Sequence, residues 1–270
     1  MPPRLIPTLL WRLLPAIILA SVIVAVWHAL AATGMHYEWQ WNRVWRHFGA
    51  FGPDGFVPGP LCKGVLLTIG IASLGSVLAI LAGLGAAFMR LSPWPVCSCA
   101  ARTYVALWRN TPLLLQLFFA YFLVSPLLRL SPFWTAVLAL AAFEGAYLCE
   151  IFRAGILAVE RTQWEAALSL GFGVGQTLRL VILPQALRNL IPALTNQAIS
   201  MLKDTSLVSA IAVADLTMRS QAIVAETFLA FEVWLIAGAI YLLLALCIAA
   251  PGLWLERFLR RREESGASQP

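Results

Sequence analysis

The sequence predicts an all-α protein, a polytopic bundle of about six membrane-spanning helices. The 270-residue chain is 60% hydrophobic and only 12% charged, whereas soluble domains are about 45–50% apolar and about 25% charged. Several apolar runs reach or approach the ~20 residues that a helix needs to cross a bilayer. A soluble core of this size cannot bury such an excess, so the composition argues against a soluble enzyme.

Six apolar runs account for the predicted spans, which are residues 13–30, 64–89, 104–122, 133–156, 190–211 and 231–255. The chain is thereby divided into an N-terminal anchor span with a periplasmic connector (1–61), a transmembrane domain (62–257) and a cytoplasmic tail (258–270). We expect residues from Ser265 onward to be disordered, because they are polar and follow a charged run.

The distribution of basic residues predicts that both termini lie in the cytoplasm. With six spans, twelve basic residues fall on inner segments and five on outer segments, as the positive-inside rule requires. The net charge of +6 is therefore explained by membrane topology rather than by nucleic-acid binding. The inner residues are Arg4, Arg12, Arg90, Arg102, Arg153, Arg161, Arg179, Arg188, Arg257, Arg260, Arg261 and Arg262, and the outer residues are Arg43, Arg46, Lys63, Arg129 and Arg219.

The first span is interpreted as an uncleaved anchor, because its apolar run exceeds the usual signal-peptide core of about 7–15 residues. A cleaved signal peptide is the alternative, since Ala29-Leu30-Ala31 resembles a cleavage site. The tryptophans that follow suit an outer interfacial belt, although a simple periplasmic connector is the plainer interpretation. These tryptophans are Trp39, Trp41 and Trp45.

Small residues and prolines predict details of the bundle. The second span carries a stripe of small residues at four-residue spacing, which allows another helix to approach closely; the stripe is Gly75, Ala79, Gly83 and Ala87. Pro112 predicts a break in the third span near Asn110. Pro192 is placed in the first turn of the fifth span, where proline is tolerated.

A polar, glycine-punctuated segment, EAALSLGFGVGQTLRLVILP, separates the fourth and fifth spans. Its spaced motif resembles the EAA loop of binding-protein-dependent ABC importer permeases, by which the membrane subunit docks its ATPase. Val181 stands where that family usually has isoleucine, and Thr162-Gln163 where it has Gly-Gln. The docking residues implied by the resemblance are Glu165, Ala166, Ala167, Gly171, Val181, Leu183 and Pro184.

The loop also has a physical logic of its own. Trp164, Ala167, Leu168 and Gly171 fall at helical spacing on one face, and we expect the glycines to divide the loop into two short helices ending at Pro184. A short rigid segment of this kind fits a groove in a partner protein. The alternative is an amphipathic helix that lies on the inner membrane surface.

Three further segments resemble the polar amino-acid branch of these permeases: RNTPLLLQ from Arg109, AYLCEIFRAGI from Ala146 and LKDTSL from Leu202. The resemblance covers residues 64–256, so the first span is an addition to a five-helix importer core. It implies a permease subunit that translocates an amino acid, delivered by a periplasmic binding protein. It also implies a second permease subunit, identical or related, and an ATPase dimer that binds ATP and Mg²⁺.

Polar side chains within the spans are the candidates for a substrate pathway. Ionisable groups at bilayer depth cost ~2.5–3.5 kcal/mol each, so they line pathways or pair together. For Glu150, mutual neutralisation with Arg153, three residues on, is the alternative. Lys203 and Asp204 are adjacent and point to different faces. The pathway candidates are Arg109, Thr111, Gln116, Glu150, Lys203 and Asp204.

Nucleotide and metal sites are not predicted in this chain. A P-loop needs glycines before its lysine, and neither Lys63 nor Lys203 has that context. The three histidines have no ligand spacing, and the five cysteines are interpreted as free thiols. An ion-coupled secondary transporter using Glu150 or Asp204 is an alternative function, but no internal symmetry supports it. A membrane enzyme using Glu144 and Glu150 is disfavoured, because they lie on different faces of one helix.

Topology yields the first testable prediction. Reporter fusions at Gly34 and Gln269 should report periplasm and cytoplasm respectively, because the basic residues favour that orientation. A periplasmic C-terminus would overturn the six-span topology, and a cleaved N-terminus would reduce it to five.

Overall fold

The computed structural model of the chain describes residues 37–53 and 55–267, together with residues 21, 24, 25 and 28. The chain forms two compact units, residues 1–40 and 41–270, and all elements from Trp41 onward belong to the second. Most of the predicted first span, including Ala29-Leu30-Ala31, lies outside the described residues. The choice between an anchor and a cleaved peptide therefore stays a prediction.

The second unit is a bundle of helices preceded by one small β-hairpin. In chain order its helices and strands are α1 (Trp41–Val44), β1 (Gly49–Gly52), β2 (Gly55–Pro58), α2 (Pro60–Leu91), α3 (Pro95–Arg109), α4 (Leu113–Phe119), α5 (Ser125–Leu128), α6 (Pro132–Leu157), α7 (Arg161–Ser169), α8 (Val174–Thr177), α9 (Leu183–Asp204), α10 (Leu216–Thr227) and α11 (Ala230–Ala267). Two π-helical turns, Ala120–Val124 and Leu178–Ile182, join α4 to α5 and α8 to α9. Two 3₁₀ segments, Trp45–His47 and Thr205–Ile211, follow α1 and α9.

The hairpin was not foreseen by the all-α prediction, although the fold is mostly helical. Strands β1 and β2 pair antiparallel, with Phe51 opposite Phe56 and Ala50 opposite Val57. The sequence signal was weak because each strand has only four residues and no buried–exposed alternation. Val44, just before the hairpin, is fully buried in a cluster that includes Leu61, so this segment is fixed to the start of α2.

The bundle is built around α6, two thirds of whose most apolar stretch is buried, against 28% for α2 and 11% for α11. All four residues of the predicted small stripe on α2 are buried. A methyl group added at Gly83 would lie 2.7 Å from Leu148 Cβ and 3.0 Å from the Gly145 carbonyl oxygen. The stripe therefore brings α2 against α6, as predicted.

The pairings along α2 show that it runs parallel to α6. Gly75 lies beside Val137, Gly83 lies beside Gly145, and Arg90 donates to Glu150. The residue numbers thus increase in the same direction along both helices. The two helices end together, next to α7. Helix α9 runs the opposite way, since Leu190 packs on Gly155 while Gln197 bonds to Glu144. The hairpin and the N-terminus of α10, which meets Gly64, thus lie at the end of the bundle opposite α7.

The predicted break in the third span is confirmed. Helix α3 ends at Arg109, Pro112 caps α4, and the two helical segments on either side meet at 104°. A second bend of 52° separates residues 174–211 from α10. Helix α10 was not predicted as a separate element.

The predicted start of the fifth span was wrong. Helix α9 begins at Leu183, so Pro192 lies inside the helix and not in its first turn. The prediction placed the start where the apolar run begins, near residue 190. The preceding turns of α9 are amphipathic, with Arg188 and Asn189 exposed, so hydrophobicity alone did not reveal them. The expected short second helix of the loop is not a separate element, because α8, the π turn and α9 follow one another without interruption.

The sixth predicted span lies inside α11, which is longer than expected. The helix continues to Ala267, through residue 258 and into the residues from Ser265 that we expected to be disordered. Its end is rich in arginine and glutamate, which favour helix in water. Within the described residues, three helices are long and apolar enough to cross a membrane, or up to five if each bent pair is one span. The total of six stays a prediction.

The contact between α2 and α6 yields a prediction with an internal control. Gly83→Ala should lower the thermal midpoint of the purified protein, because the added methyl group overpacks the interface at a cost of about 1–3 kcal/mol. Gly85→Ala should leave the midpoint unchanged or raise it, since the methyl group added at Gly85 would have no neighbouring atom within 4 Å. Equal midpoints for the two variants would contradict this account.

Candidate functional site

The candidate docking loop contains one well-formed helix, α7. Its C-terminus is closed by a left-handed glycine, Gly171, whose φ is +86°. The amide of Gly171 donates to the Leu168 carbonyl at 3.0 Å, and that of Phe172 to the Ala167 carbonyl at 3.2 Å. The second of these bonds is the 6→1 bond of a Schellman motif, which satisfies the last carbonyls of the helix.

One side of α7 is held by the bundle. Ala167 is buried, and Trp164 packs on the cluster formed by Ile156, Val159, Ile182 and Ala186. A further link comes from α9, where the amide of Gln185 donates to the Gln163 side-chain oxygen at 3.3 Å. The loop is therefore attached to both of the helices that flank it.

The other side of α7 is exposed. The Glu165 side chain is 68% exposed and forms only a loose pair with Arg161, at 3.6 Å. Apolar side chains accompany it, since Leu168, Leu170 and Val174 are all exposed. The predicted common face is thus divided, with Trp164 and Ala167 turned inward and Leu168 turned outward.

The remaining docking residues lie on the second half of the loop. Val181 is half-buried in the π turn, Leu183 is half-buried at the start of α9, and Pro184 is exposed in its first turn. Pro184 has no amide hydrogen, and it directly follows the π turn Leu178–Ile182 within the continuous helical run.

An ion network joins α2 to α6 near the α7 end of the bundle. Glu150 accepts from Arg90 and, at 2.9–3.0 Å, from Arg153. The Glu150–Arg153 pair, which was the alternative to a pathway role for Glu150, is therefore present. Arg90 was not foreseen as its partner, because no sequence spacing joins residues 60 positions apart. Glu150 is neutralised by two arginines rather than left open to a cavity.

Three pathway candidates meet at the bend between α3 and α4. The Gln116 amide donates to the carbonyl oxygens of Trp108 at 2.8 Å and Thr111 at 3.1 Å. The Thr111 hydroxyl donates to the Leu107 carbonyl at 2.8 Å. The Arg109 guanidinium lies 4.9 Å above the Tyr147 ring of α6. Gln116 and Thr111 therefore satisfy the carbonyls that the bend exposes, beside an apolar groove of about 840 Å³.

Glu144, which is 1% exposed, is a buried carboxyl group within the bundle. It accepts a hydrogen bond from Gln197 of α9, and Asp204 of the same helix lies near its carboxyl group. A small cavity of about 50 Å³ lies beside Glu144 and Gln197. Lys203 is exposed on another face, as predicted for adjacent residues.

The sequence did not reveal the buried contact between Glu144 and Gln197, and Glu144 was considered only as an acid or base in an enzyme. The available signal was an acidic residue in an Ala- and Gly-rich span with no basic residue one turn away. Metal chemistry finds no support in the part of the chain that the structure describes, where no three His, Cys, Asp or Glu side chains cluster to hold an ion. The five cysteines are free thiols.

Comparison with known proteins gives this arrangement a family. Residues 75–262, from the middle of α2 into the end of α11, match the family described as binding-protein-dependent transport system inner membrane component. The chain belongs to that family. It is therefore the membrane component of an importer, and ATP hydrolysis belongs to a separate subunit.

Curated relatives match most of their own length. The glutamine transport system permease protein GlnP of Escherichia coli (strain K12) is 37% identical over 205 residues, covering 75% of this chain and 92% of that protein. The arginine transport system permease protein ArtQ of Bacillus subtilis (strain 168) is 33% identical over 205 residues, covering 75% and 94%. These matches confirm the resemblance to importer permeases.

Solved structures agree with the fold. A chain from the crystal structure of an amino acid ABC transporter with histidines has 37% identity and a TM-score of 0.69, covering 73% of this chain and 93% of its own. A chain of the MetNI methionine ABC transporter, at 17% identity, has a TM-score of 0.66 and supports the fold alone. Family and fold together establish a multi-pass inner-membrane protein, and neither favours a secondary transporter or a membrane enzyme.

Proposed function

We propose that this permease subunit translocates an amino acid, polar or charged, across the bacterial inner membrane. The observation that carries the proposal is the match of 37% identity with permeases named for amino acids, over more than nine tenths of their length. Relatives named for arginine, glutamine and glutamate/aspartate point to the same substrate class. An ion-coupled secondary transporter has no comparable support.

The importer as a whole requires several partners. We place beside this chain a second permease subunit, an ABC-type ATPase dimer that binds ATP and Mg²⁺, and a periplasmic amino-acid-binding protein. The chain itself binds no cofactor in this proposal. Residues 1–61 form an N-terminal anchor span and a periplasmic connector, and residues 62–257 form the transmembrane domain. Residues 258–270 form a cytoplasmic tail, and the N-terminus also lies in the cytoplasm.

The ATPase docks on α7, the coupling helix of this proposal. Helix α7 is held from behind by Trp164 and Ala167, while Glu165 and Leu168 project outward. A projecting helix that is fixed on one side can transmit the movement of a partner. The shallow groove of about 570 Å³ beside Trp164 and Glu165 adds a surface that a partner side chain can fill.

The substrate pathway passes the polar groups of α6 and α9. Glu144 and Gln197 are hydrogen-bonded to each other beside a cavity, Asp204 lies near Glu144, and Lys203 adds a positive charge on the neighbouring face. A zwitterionic amino acid carries one ammonium and one carboxylate group, so opposite charges at this level suit it. Gln116, Thr111 and Arg109 maintain the bend that borders the pathway, and Glu150 fixes α2 to α6 below it.

Dependence on the ATPase tests the proposed function. Reconstituted alone in liposomes, the chain should neither hydrolyse ATP nor accumulate labelled amino acids. With the ATPase, the binding protein and any sister permease added, it should accumulate them against a gradient. Concentrative uptake by the permease alone would refute the proposal. If complete assemblies transported no amino acid, the proposed substrate class would be wrong.

The docking role of α7 is tested with two substitutions of the same kind. Gly171→Asp should reduce co-purification of the ATPase, because its left-handed φ costs a side-chain-bearing residue about 1–2 kcal/mol and distorts the end of α7. Space is not the reason, since a Cβ added at Gly171 or at Gly175 would have no neighbouring atom within 4 Å. Gly175→Asp adds the same charge in α8 without that φ and should dock normally.

Normal docking and transport by Gly171→Asp would reduce α7 to a surface helix. Equal losses in both variants would assign the effect to the added charge rather than to the end of α7.

The pathway is tested with the two lysines of the chain. Lys203→Ala should lower uptake per assembled complex, whereas Lys63→Ala removes the same charge at the start of α2 and should not. Gln116→Ala should also lower uptake, with assembly measured separately because Gln116 supports the bend. Reduced assembly with unchanged uptake per complex would show that these groups only hold helices together.

A further inference from the structure

The β-hairpin is an addition to the family core, and it exposes aromatic side chains. The family match begins at residue 75, after both strands. Phe51 is 87% exposed at the hairpin tip, and Trp45, Phe56 and Val57 are each more than half exposed. Exposed apolar groups gathered on one short element mark an interaction surface more often than chance.

The hairpin is held rigidly against the start of α2. The amide of Gly59 donates to the Phe48 carbonyl at 2.8 Å, which closes the base of the hairpin. Phe51 and Phe56 form an edge-to-face pair with ring centres 5.4 Å apart. Val44 is buried beside Leu61. The aromatic tip is therefore displayed at a fixed height relative to the bundle.

That height coincides with the lipid headgroups. Lys63 and Arg90 stand 27 residues apart on α2, which at 1.5 Å per residue is about 40 Å. A bilayer with its headgroup layers is about 40–45 Å thick, so both charges lie at headgroup level. The hairpin adjoins the helix turn that contains Lys63, and Leu66 on the next turn is 65% exposed.

The chemistry of the hairpin suits a phospholipid surface. Neither strand contains a charged side chain, although Asp54 stands between them in the sequence, and the exposed Arg46 borders the aromatic group. Aromatic side chains favour the membrane interface, and a neighbouring arginine complements lipid phosphates. A protein that docks and leaves in every cycle relies on charge complementarity, which the strands lack.

From these observations we infer that the hairpin, with Trp45, is a monotopic interfacial anchor. It rests its aromatic side chains among the phospholipid headgroups of the leaflet opposite α7, and Arg46 contacts their phosphates. The anchor fixes the depth of α2 in the bilayer. This inference does not depend on which substrate the importer carries.

Photocrosslinking in proteoliposomes tests the anchor. The assembled complex carries a benzophenone amino acid in place of Phe51 and is reconstituted with its binding protein in vesicles of phosphatidylethanolamine and phosphatidylglycerol. Matched probes replace Leu66 on the lipid side of α2 and Leu170, which is exposed at the other end of the bundle. Vesicles with identical leaflets make the readout independent of the direction of insertion. Adducts are identified by mass.

We expect phospholipid adducts at position 51 with a yield comparable to that at position 66 and well above that at position 170. Arg46→Ala should lower the share of phosphatidylglycerol among the adducts at position 51 by about fivefold. Adducts to the binding protein or to a second copy of the chain, or a lipid yield at position 51 no higher than at position 170, would overturn the inference.

Discussion

The close contact between α2 and α6 is the constraint on which the rest of the structure depends. Helices in lipid gain little from the hydrophobic effect, so they associate where small residues let their backbones approach. Gly83 meets Gly145 and Leu148 with no space for a methyl group. Because this contact makes the two helices parallel, the chain must return through the bent α3–α5 segment before α6 can begin.

Helix α6 also distributes the polar groups of the bundle. Glu144, Tyr147 and Glu150 follow at intervals of three residues, each step turning about −60° around a helix of 3.6 residues per turn. Each therefore meets a different neighbour, namely Gln197 of α9, Arg109 of α3 and Arg90 of α2. A single helix thus holds three others through polar contacts, in addition to the apolar packing around it.

The features that the sequence predicted correctly depend on local chemistry. The small stripe of α2 and the break at Pro112 follow from residue size or backbone freedom at one position. Helix α10 also had a local signal, since Asp215 caps it by accepting from the Met218 amide at 2.8 Å. By contrast, the Glu144–Gln197 and Arg90–Glu150 contacts join residues more than 50 positions apart, so only the folded chain could reveal them.

The uninterrupted run from α8 through the π turn into α9 has a mechanical consequence. From Val181 to Gln197 the chain rises about 24 Å as one helical rod, which links the end of the α7 loop to the contact between Gln197 and Glu144. Two weak points interrupt the rod's hydrogen-bond ladder, the π turn and Pro192. We therefore expect any bending of this rod to be concentrated at these two positions.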